Sequence, residues 1–237
     1  MASETRRRFF DALIAQFDKN YLIELLQYNK LLKQRNAFLK TKSKAIDLLE
    51  IYDDQMVDKA QAIFKSRNKF ISEFTPVFSQ FYKDISSNKE EVSLNYHSSL
   101  TSDSMKEIFL MNRTKDQLIG YTSSGVHRDD FHFSINTNPI KKFGSQGQQK
   151  TFLIALKLAK FEYIKMKKDI TPVLLLDDIF DKLDDHRVGY ILKLIEKNNL
   201  GQLFITDTSK DKIPNILKNL NIESNLFWIE NGNSSIL

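Results

Sequence analysis

Hydrophobic and polar positions in the first third of the chain follow a helical period. Apolar residues recur every three or four positions between Lys, Arg, Gln and Asn up to about Lys83. Two long amphipathic helices in succession predict an antiparallel hairpin or small bundle, which either packs on itself or projects as an arm. We expect Pro76 to kink or end the second helix near Thr75, because proline cannot donate the helical hydrogen bond.

The rest of the chain alternates short apolar runs with amphipathic stretches. Residue-to-residue alternation and continuous apolar runs predict strands at 92–96, 131–135, 173–176, 202–206 and 226–229. Helical periodicity and capping residues predict helices at about 101–115, 145–168, 185–198 and 214–220. Helix followed by buried strand, repeated, is typical of an α/β fold with a partly parallel sheet.

Composition narrows the class of protein. A chain of 237 residues, 41% hydrophobic and 27% charged, fits one or two soluble globular domains with a real core. The absence of cysteine excludes disulfides and thiolate metal sites, and it fits a cytoplasmic protein. No apolar run approaches the ~18 residues of a membrane span, so we expect no membrane partner. The net charge of +5 permits nucleic-acid binding without establishing it.

Two carboxylates follow an apolar run and are the first candidates for chemistry. Residues 173–176 lead directly into Asp177 and Asp178. The carboxyl end of a buried parallel strand opens on a crevice, where acid groups can reach a nucleotide's metal ion and water. Asp177 could hold Mg²⁺, and Asp178 could orient or deprotonate the attacking water. The alternative is a strand end that meets solvent, but the sequence that follows favours the site.

A Gly/Ser/Gln turn at Phe143–Thr151 opens a long helix and is the second candidate. Backbone N–H groups at a helix N-terminus can hold phosphate. Gly147 permits close backbone approach, while Ser145 can cap the helix or donate its hydroxyl to a γ-phosphate. The same stretch resembles a P-loop that has Gln149 where the second glycine is needed. The chain contains no Gly-x-x-x-x-Gly-Lys-Ser/Thr sequence.

Three further polar segments each have two interpretations. His127–Asp130 could suggest a metal, but neighbours on a strand point to opposite faces, so structural ion pairing is favoured. Thr206–Ser209 follows a strand and is either a switch near a γ-phosphate or a polar turn that caps the next helix. The basic helical residues form either a solvated face or a track for DNA phosphates. They are Arg6, Arg7, Arg8, Lys30, Lys33, Arg35, Lys40, Lys42 and Lys44.

Taken together, these segments resemble the RecF family of DNA replication and repair ATPases, relatives of the SMC and Rad50 heads. The resemblance rests on Ser3–Asp11, Gln34–Lys40, Gly125–Asp130, Phe143–Thr151 and Leu174–Asp185. It implies part of an ABC-type ATPase head, with a mixed or parallel sheet and flanking helices, plus an inserted all-helical lobe. On this basis residues 1–90 form the helical lobe, and residues 91–237 form the C-terminal part of the head with its signature and Walker B motifs.

The resemblance also assigns roles to individual residues. In that family ATP is sandwiched between two heads, so that the signature loop of one faces the Walker motifs of the other. It assigns Asp177 to Mg²⁺, Asp178 to the attacking water and Asp184 to the D-loop that crosses the dimer. It assigns the switch position to Asp207 or Thr208. The residues that it places against the nucleotide in trans are Ser145, Gln146, Gly147 and Gln148.

The implied function is that of an ATP-dependent dimerising DNA-binding protein. It would act at single-strand gaps and duplex junctions in recombinational repair and the SOS response, with ATP and Mg²⁺ as cofactors. The implied partners are DNA, recombination mediator proteins and a second copy of the protein. A full family member begins with a strand and a Walker A loop, so we expect this chain to be a fragment that does not hydrolyse ATP alone.

Two other interpretations remain open. One is a non-catalytic module that binds DNA or another protein, which the missing P-loop favours. The other is a different SMC- or Rad50-like head, which the short helical insert disfavours because such heads carry far longer coiled coils.

Overall fold

The computed structural model describes residues 2–41, 45–100, 104–177, 183, 185–197, 201–208, 212–220 and 223–236. It divides into two compact units. Unit one comprises Met1–Thr75 and Ser93–Ser134, and unit two comprises Pro76–Val92 and Ile135–Leu237. The boundary near residue 90 between a helical lobe and a head part stays a prediction.

Helices and short strands together confirm the predicted α/β class. The helices are α1 (Ser3–Ala15), α2 (Lys19–Lys40), α3 (Ile46–Ser86), α4 (Met105–Ile119), α5 (Ile140–Phe143), α6 (Gln146–Lys168), α7 (Asp185–Lys197) and α8 (Lys212–Leu220). The strands are β1 (Val92–His97), β2 (Asp130–Ile135), β3 (Asn138–Pro139), β4 (Leu174–Asp177), β5 (Leu203–Thr206), β6 (Phe227–Glu230) and β7 (Asn233–Ile236). In the described part of the chain, no helix is both long and apolar enough to cross a bilayer.

Aromatic packing builds the core of unit one. The ring of Phe10 in α1 lies 4.3 Å from that of Phe131 in β2 and 6.0 Å from that of Phe74 in α3, measured between centroids. All three side chains are fully buried. Because aromatic pairs add to the free energy gained by burial alone, this cluster fixes α1 and α3 against the strand.

Pro76 does not end α3 near Thr75, as the sequence suggested it could, because the helix continues to Ser86. An interior proline costs about 3 kcal/mol through its missing hydrogen bond and its clash with the preceding turn. Phe78 and Tyr82 follow the proline and are fully buried. Each large apolar side chain gains roughly 1.5–3 kcal/mol on burial. The burial of these two residues therefore offsets the cost of continuing the helix.

Unit two is built on α6 and a pair of parallel strands. The ring centroid of Phe152 in α6 lies 4.7 Å from that of Phe78. Strands β4 and β5 pair in parallel, with Leu174 opposite Leu203 and Asp177 opposite Thr206. The apolar sequence predicted a strand buried on both faces. Leu174 and Leu176 are buried, but Leu175 between them is 64% exposed.

The C-terminal hairpin contains a strand that the sequence analysis missed. Strand β6 pairs with β7 in antiparallel register, with Phe227 opposite Ile236. Asn231 and Gly232 form the turn and both have positive φ, 49° and 79°. An Asn-Gly pair is a strong local signal for a two-residue hairpin turn, although Asn233–Ile236 contains only one apolar residue. The sequence thus contained the information needed to predict β7.

The position of Pro76 generates a stability prediction. Its side chain is exposed, so replacing it removes no buried contact. We expect Pro76→Ala to raise the free energy of unfolding by roughly 1–3 kcal/mol, because alanine can donate to the Ser72 carbonyl. Urea unfolding followed by circular dichroism measures the change. Ser72→Ala is the matched control, and an equal or larger gain in that variant would contradict the explanation.

Candidate nucleotide-binding site

The edge formed by the carboxyl ends of β4 and β5 brings together some of the predicted site residues. Asp177 ends β4 and is exposed. Its Oδ1 accepts a 2.5 Å hydrogen bond from the Oγ1 of Thr206, its partner in the parallel register. Asp207 and Thr208 follow directly, the first half-buried and the second exposed. The parallel register therefore places Asp177 beside the predicted switch segment.

Asp177 has the properties of a carboxylate that could hold Mg²⁺ with retained water. Mg²⁺ takes only one or two protein carboxylates and keeps several of its waters. The side chain reaches solvent, and its Oδ2 has no hydrogen-bond partner among the described residues. Asp178 and Asp184, which the sequence analysis assigned to the attacking water and the D-loop, lie outside the described residues. Their roles stay predictions.

The N-terminus of α6 carries the second group of predicted residues. Ser145 caps the helix, since its Oγ accepts from the backbone N of Gln148 at 3.2 Å. In return the Oε1 of Gln148 accepts from the backbone N of Ser145 at 2.7 Å. This reciprocal capping box satisfies two amides. The amides of Gln146 and Gly147 have no partner among the described residues, so they can donate to an anion.

The turn before α6 requires a glycine. The backbone N of Gly144 donates to the Ile140 carbonyl oxygen at 2.9 Å. A Cβ at this position would lie 2.7 Å from that same oxygen and 2.7 Å from the Ile140 Cγ1. Gly144 therefore lets the chain leave α5 and reach the cap at Ser145.

Contacts within unit two support the capped turn and were not predicted from the sequence. The Nε2 of Gln148 donates to Glu90 at 3.0 Å, and the hydroxyl of Tyr82 donates to the other oxygen of Glu90 at 2.5 Å. Arg187 in α7 donates to the Oγ1 of the buried Thr151 at 2.9 Å, and it lies 3.6 Å from Glu90. Burial, followed by the bond to Glu90, raises the pKa of Tyr82. No local pattern indicates Glu90, because its partner Gln148 lies 58 positions away.

The segment 120–130, which includes the His-Arg-Asp-Asp sequence, is structural, as the sequence analysis favoured. Arg67 donates to Asp129 at 3.1 Å, and the hydroxyls of Tyr96 and Ser98 donate to the same carboxylate. Arg6 forms a two-point ion pair with Asp130, at 2.9 and 2.6 Å. No group of three or more potential metal-ligating side chains occurs in the ranges that the structure describes.

Arg35 was predicted to lie on a basic surface, and this prediction is wrong. Its side chain is fully buried in unit one. It donates to Asp53 at 2.7 Å, to Asp116 at 2.8 Å and to the hydroxyl of Thr122 at 2.8 Å. A charge with this burial must be paired, because an unpaired one costs several kcal/mol. Arg35 therefore connects α2, α3, α4 and the segment 120–130.

Of the other basic residues, the three arginines of α1 each have a partner, and the described lysines of α2 are exposed. Arg6 is half-buried and paired as described above, and Arg7 donates to the Asp129 carbonyl oxygen at 2.6 Å. Arg8 is exposed and pairs with Glu4. Lys30, Lys33 and Lys40 are exposed as predicted, while Lys42 and Lys44 lie outside the described residues.

His127 is held in one tautomer by two fixed partners. Its Nε2 lies 3.1 Å from the Thr122 carbonyl oxygen, which can only accept. The proton is therefore on Nε2, and Nδ1 accepts from the Tyr28 hydroxyl at 2.8 Å. Burial lowers the pKa of His127 to about 4. The imidazole is thus neutral at physiological pH.

Comparison with known proteins identifies relatives of this chain. No protein-family profile matches the chain. It is 46% identical over 232 residues to the DNA replication and repair protein RecF of Phocaeicola vulgatus, covering 97% of the chain and 62% of the relative. It is also 46% identical over 220 residues to the RecF protein of Flavobacterium johnsoniae, covering 91% of the chain and 61% of the relative. The chain therefore spans about three-fifths of the length of these relatives.

Solved structures agree with the sequence comparison. The recombination mediator protein RecF of the RecFOR pathway, solved with ATPrS and with ATP, superimposes with a TM-score of 0.81 in each case. Sequence identity is 34%, and the match covers 100% of this chain and 64% of that one. The Smc head domain of Pyrococcus furiosus superimposes with a TM-score of 0.51 at 15% identity, covering 57% of that chain, and shares the fold alone.

The fold therefore defines part of a domain of the kind solved in RecF and in the Smc head. Within that class, the chain belongs to the RecF family of DNA replication and repair proteins.

The low pKa of His127 generates a prediction about pH dependence. The pKa of histidine is 6.5 in the unfolded chain and about 4 for His127 in the folded chain. Between these two pH values, folding therefore requires His127 to release a proton. The stability that neutral His127 supports is complete above pH 6.5 and is lost as the pH falls toward 4. We expect the free energy of unfolding to fall by about 1.4 kcal/mol per pH unit in that window through this residue.

Urea unfolding at several pH values between 4.5 and 7.5 measures this dependence. His127→Gln keeps one donor and one acceptor but does not titrate, so its stability should fall less steeply with decreasing pH. Parallel pH profiles for the two proteins would contradict the assignment.

Proposed function

We propose that this chain supplies the signature-loop and Walker B parts of an ATP site in an ATP-dependent dimerising DNA-binding protein of RecF type. The observation that carries the proposal is the capped α6 N-terminus with two unpartnered amides, in the same unit as a carboxylate at the edge of a parallel strand pair. The chain covers only part of its relatives, so this function concerns a larger assembly. In that assembly it acts at single-strand gaps and duplex junctions, with DNA and recombination mediator proteins as partners.

The nucleotide roles follow from the chemistry of each group. The amides of Gln146 and Gly147 and the hydroxyl of Ser145 donate to the γ-phosphate of an ATP bound by the opposing subunit. Asp177 holds Mg²⁺, and Asp178 orients the attacking water. Asp184 lies at the dimer crossing, and Asp207 or Thr208 senses the γ-phosphate. The Ser145–Gln148 capping box fixes the donors before nucleotide arrives, which reduces the entropy lost on binding.

One face of the β4–β5 pair is apolar and exposed, which supports a further segment that covers it. Leu175 is 64% exposed and Phe204 is 52% exposed, although both belong to strands of apolar composition. Apolar strand residues of this kind are normally covered in parallel sheets. We propose that the segment carrying the Walker A loop covers this face and completes the sheet.

We expect no ATP turnover by the chain alone. The sequence contains no Gly-x-x-x-x-Gly-Lys-Ser/Thr loop, so the β- and γ-phosphates lack their lysine and amide cradle. Without these contacts the phosphate is neither held nor aligned for in-line attack.

We place the assembly in the cytoplasm and in the SOS response. The lack of cysteines in this chain fits a reducing compartment such as the cytoplasm.

A second candidate function is a non-catalytic module that binds DNA. The net charge of +5 and the exposed lysines of α2 favour it. The two functions differ in whether the chain ever takes part in ATP turnover.

The test compares ATP turnover by the chain alone and by the chain mixed with a separately produced segment that carries the family's Walker A half. We expect turnover only in the mixture. Ser145→Asp should keep the helix cap, because aspartate is as good an N-cap as serine, but it opposes the γ-phosphate. In the mixture this variant should lose roughly 100-fold in turnover, which corresponds to about 2.7 kcal/mol at the transition state.

Ser145→Thr is the matched control, since it keeps both the cap and the hydroxyl and should stay within a few-fold of the unmodified chain. Turnover by the chain alone, or equal turnover by the Asp and Thr variants, would contradict the proposed site. If neither sample binds nucleotide while the chain binds DNA with a steep salt dependence, the second candidate replaces the first.

A further inference from the structure

One arginine of the His-Arg-Asp-Asp sequence has no structural use in the interior. Val126 and Asp129 are buried, His127 is held by two partners, and Asp130 pairs with Arg6. Arg128 is the exposed member. It meets no carboxylate among the described residues, and its Nη2 makes only a long 3.4 Å contact to the Thr122 carbonyl oxygen.

Arg128 is held in place by an aromatic ring. Its guanidinium carbon lies 5.4 Å from the ring centroid of Tyr121, which is itself 44% exposed. A guanidinium over a tyrosine face is stabilised by the attraction between the cation and the electron density of the ring. The stack limits the rotamers of a long side chain, so less entropy is lost when the guanidinium binds a ligand.

Buried contacts fix the backbone beneath this stack. The Oδ1 of Asn36 accepts from the backbone N and the hydroxyl of Thr122, at 2.8 and 2.7 Å. The Oδ1 of Asp116 accepts from the backbone N and the hydroxyl of Ser123, at 2.9 and 2.6 Å. Arg35 in turn pairs with Asp116. The ion-paired interior of unit one therefore presents Tyr121 and Arg128 on an ordered backbone.

Two lysines extend the positive charge along α2. Lys33, Asn36 and Lys40 are three and four positions apart, so they share one face of the helix. That face contacts the segment 120–130 through Asn36, and the Lys40 side chain passes Gly120, with Cγ 3.9 Å from where a Cβ would lie. Lys33 and Lys40 are exposed and form no ion pair with any described residue. They lie about 10 Å apart along the helix axis.

We propose that Arg128, stacked on Tyr121, binds the phosphate backbone of a nucleic acid together with Lys33 and Lys40 on the α2 face that contacts the segment 120–130. The inference rests on the proposed DNA-binding function and locates a contact for it. A single carboxylate would neutralise only one of the three cations. Each strand of a DNA duplex carries one charge per about 3.4 Å of helix axis, so a span of about 10 Å faces roughly three phosphates. The planar guanidinium also suits two-point binding of phosphate oxygens.

The test is fluorescence anisotropy of the full chain with a labelled single-stranded 30-mer and a gapped duplex, at salt concentrations from 50 to 200 mM. Arg128→Gln is expected to weaken binding about tenfold and to reduce the slope of log Kd against log salt by about one. Arg128→Lys keeps the charge but not the planar stack, so its affinity should lie between those of the unmodified chain and Arg128→Gln. Tyr121→Leu keeps every charge and should weaken binding about threefold through loss of the stack.

Lys69→Gln is the control, because it removes one positive charge from an exposed position of α3 that forms no ion pair with any described residue and is not part of the proposed surface. If the unmodified chain binds DNA but Arg128→Gln and Lys69→Gln behave alike, the inference is overturned while DNA binding stands. If the unmodified chain binds neither DNA, the proposed DNA-binding function fails and the inference fails with it. An equal loss of affinity for polyglutamate in Arg128→Gln would overturn the phosphate assignment in favour of an acidic protein partner.

Discussion

Two buried arginines, Arg35 and Arg67, organise unit one, because a guanidinium without solvent must be matched by carboxylates. Arg35 pairs with Asp53 and Asp116, and Arg67 pairs with Asp11 and Asp129. Removing one partner of a buried pair typically costs 3–5 kcal/mol. These pairs connect the N-terminal helices to the segment 120–130. Their geometric demands explain why that segment has a defined conformation although it contains no regular secondary structure before β2.

In unit two, polar contacts replace buried charge as the organising feature. The reciprocal cap at Ser145 and Gln148 orders the turn before α6, and Glu90 and Arg187 support that turn from neighbouring elements. Asp177 at the strand edge is exposed, as are the apolar residues on one face of its strand. The unit thus combines an ordered turn that carries two unpartnered amides with an apolar sheet face that is exposed in the described part of the chain. This combination supports the proposed nucleotide site shared between segments.

The sequence was sufficient where interactions are local. The cap at Ser145, the length of α6 and the end of β4 at Asp177 follow from neighbouring residues, and the structure confirms them. Arg35 was misassigned because its partners lie 18 and 81 positions away, and a polar helix face looks the same whether or not a distant acid covers it. The continuation of α3 through Pro76 likewise depends on burial that only the folded chain provides. The D-loop role of Asp184 rests on resemblance alone, and that of Asp178 rests on resemblance and on its position after an apolar strand.

The segment 120–130 depends on the buried arginine pairs for its conformation. Amide hydrogen exchange in Asp53→Asn is the direct test, because the substitution keeps the side-chain shape and removes a carboxylate from Arg35 at a residue that does not itself contact the segment. We expect about tenfold faster exchange at Thr122, Ser123 and their neighbours, corresponding to ~1.4 kcal/mol, with unchanged exchange in α6. Exchange in the segment 120–130 that matches the unmodified chain, or that rises equally in α6, would contradict the claim.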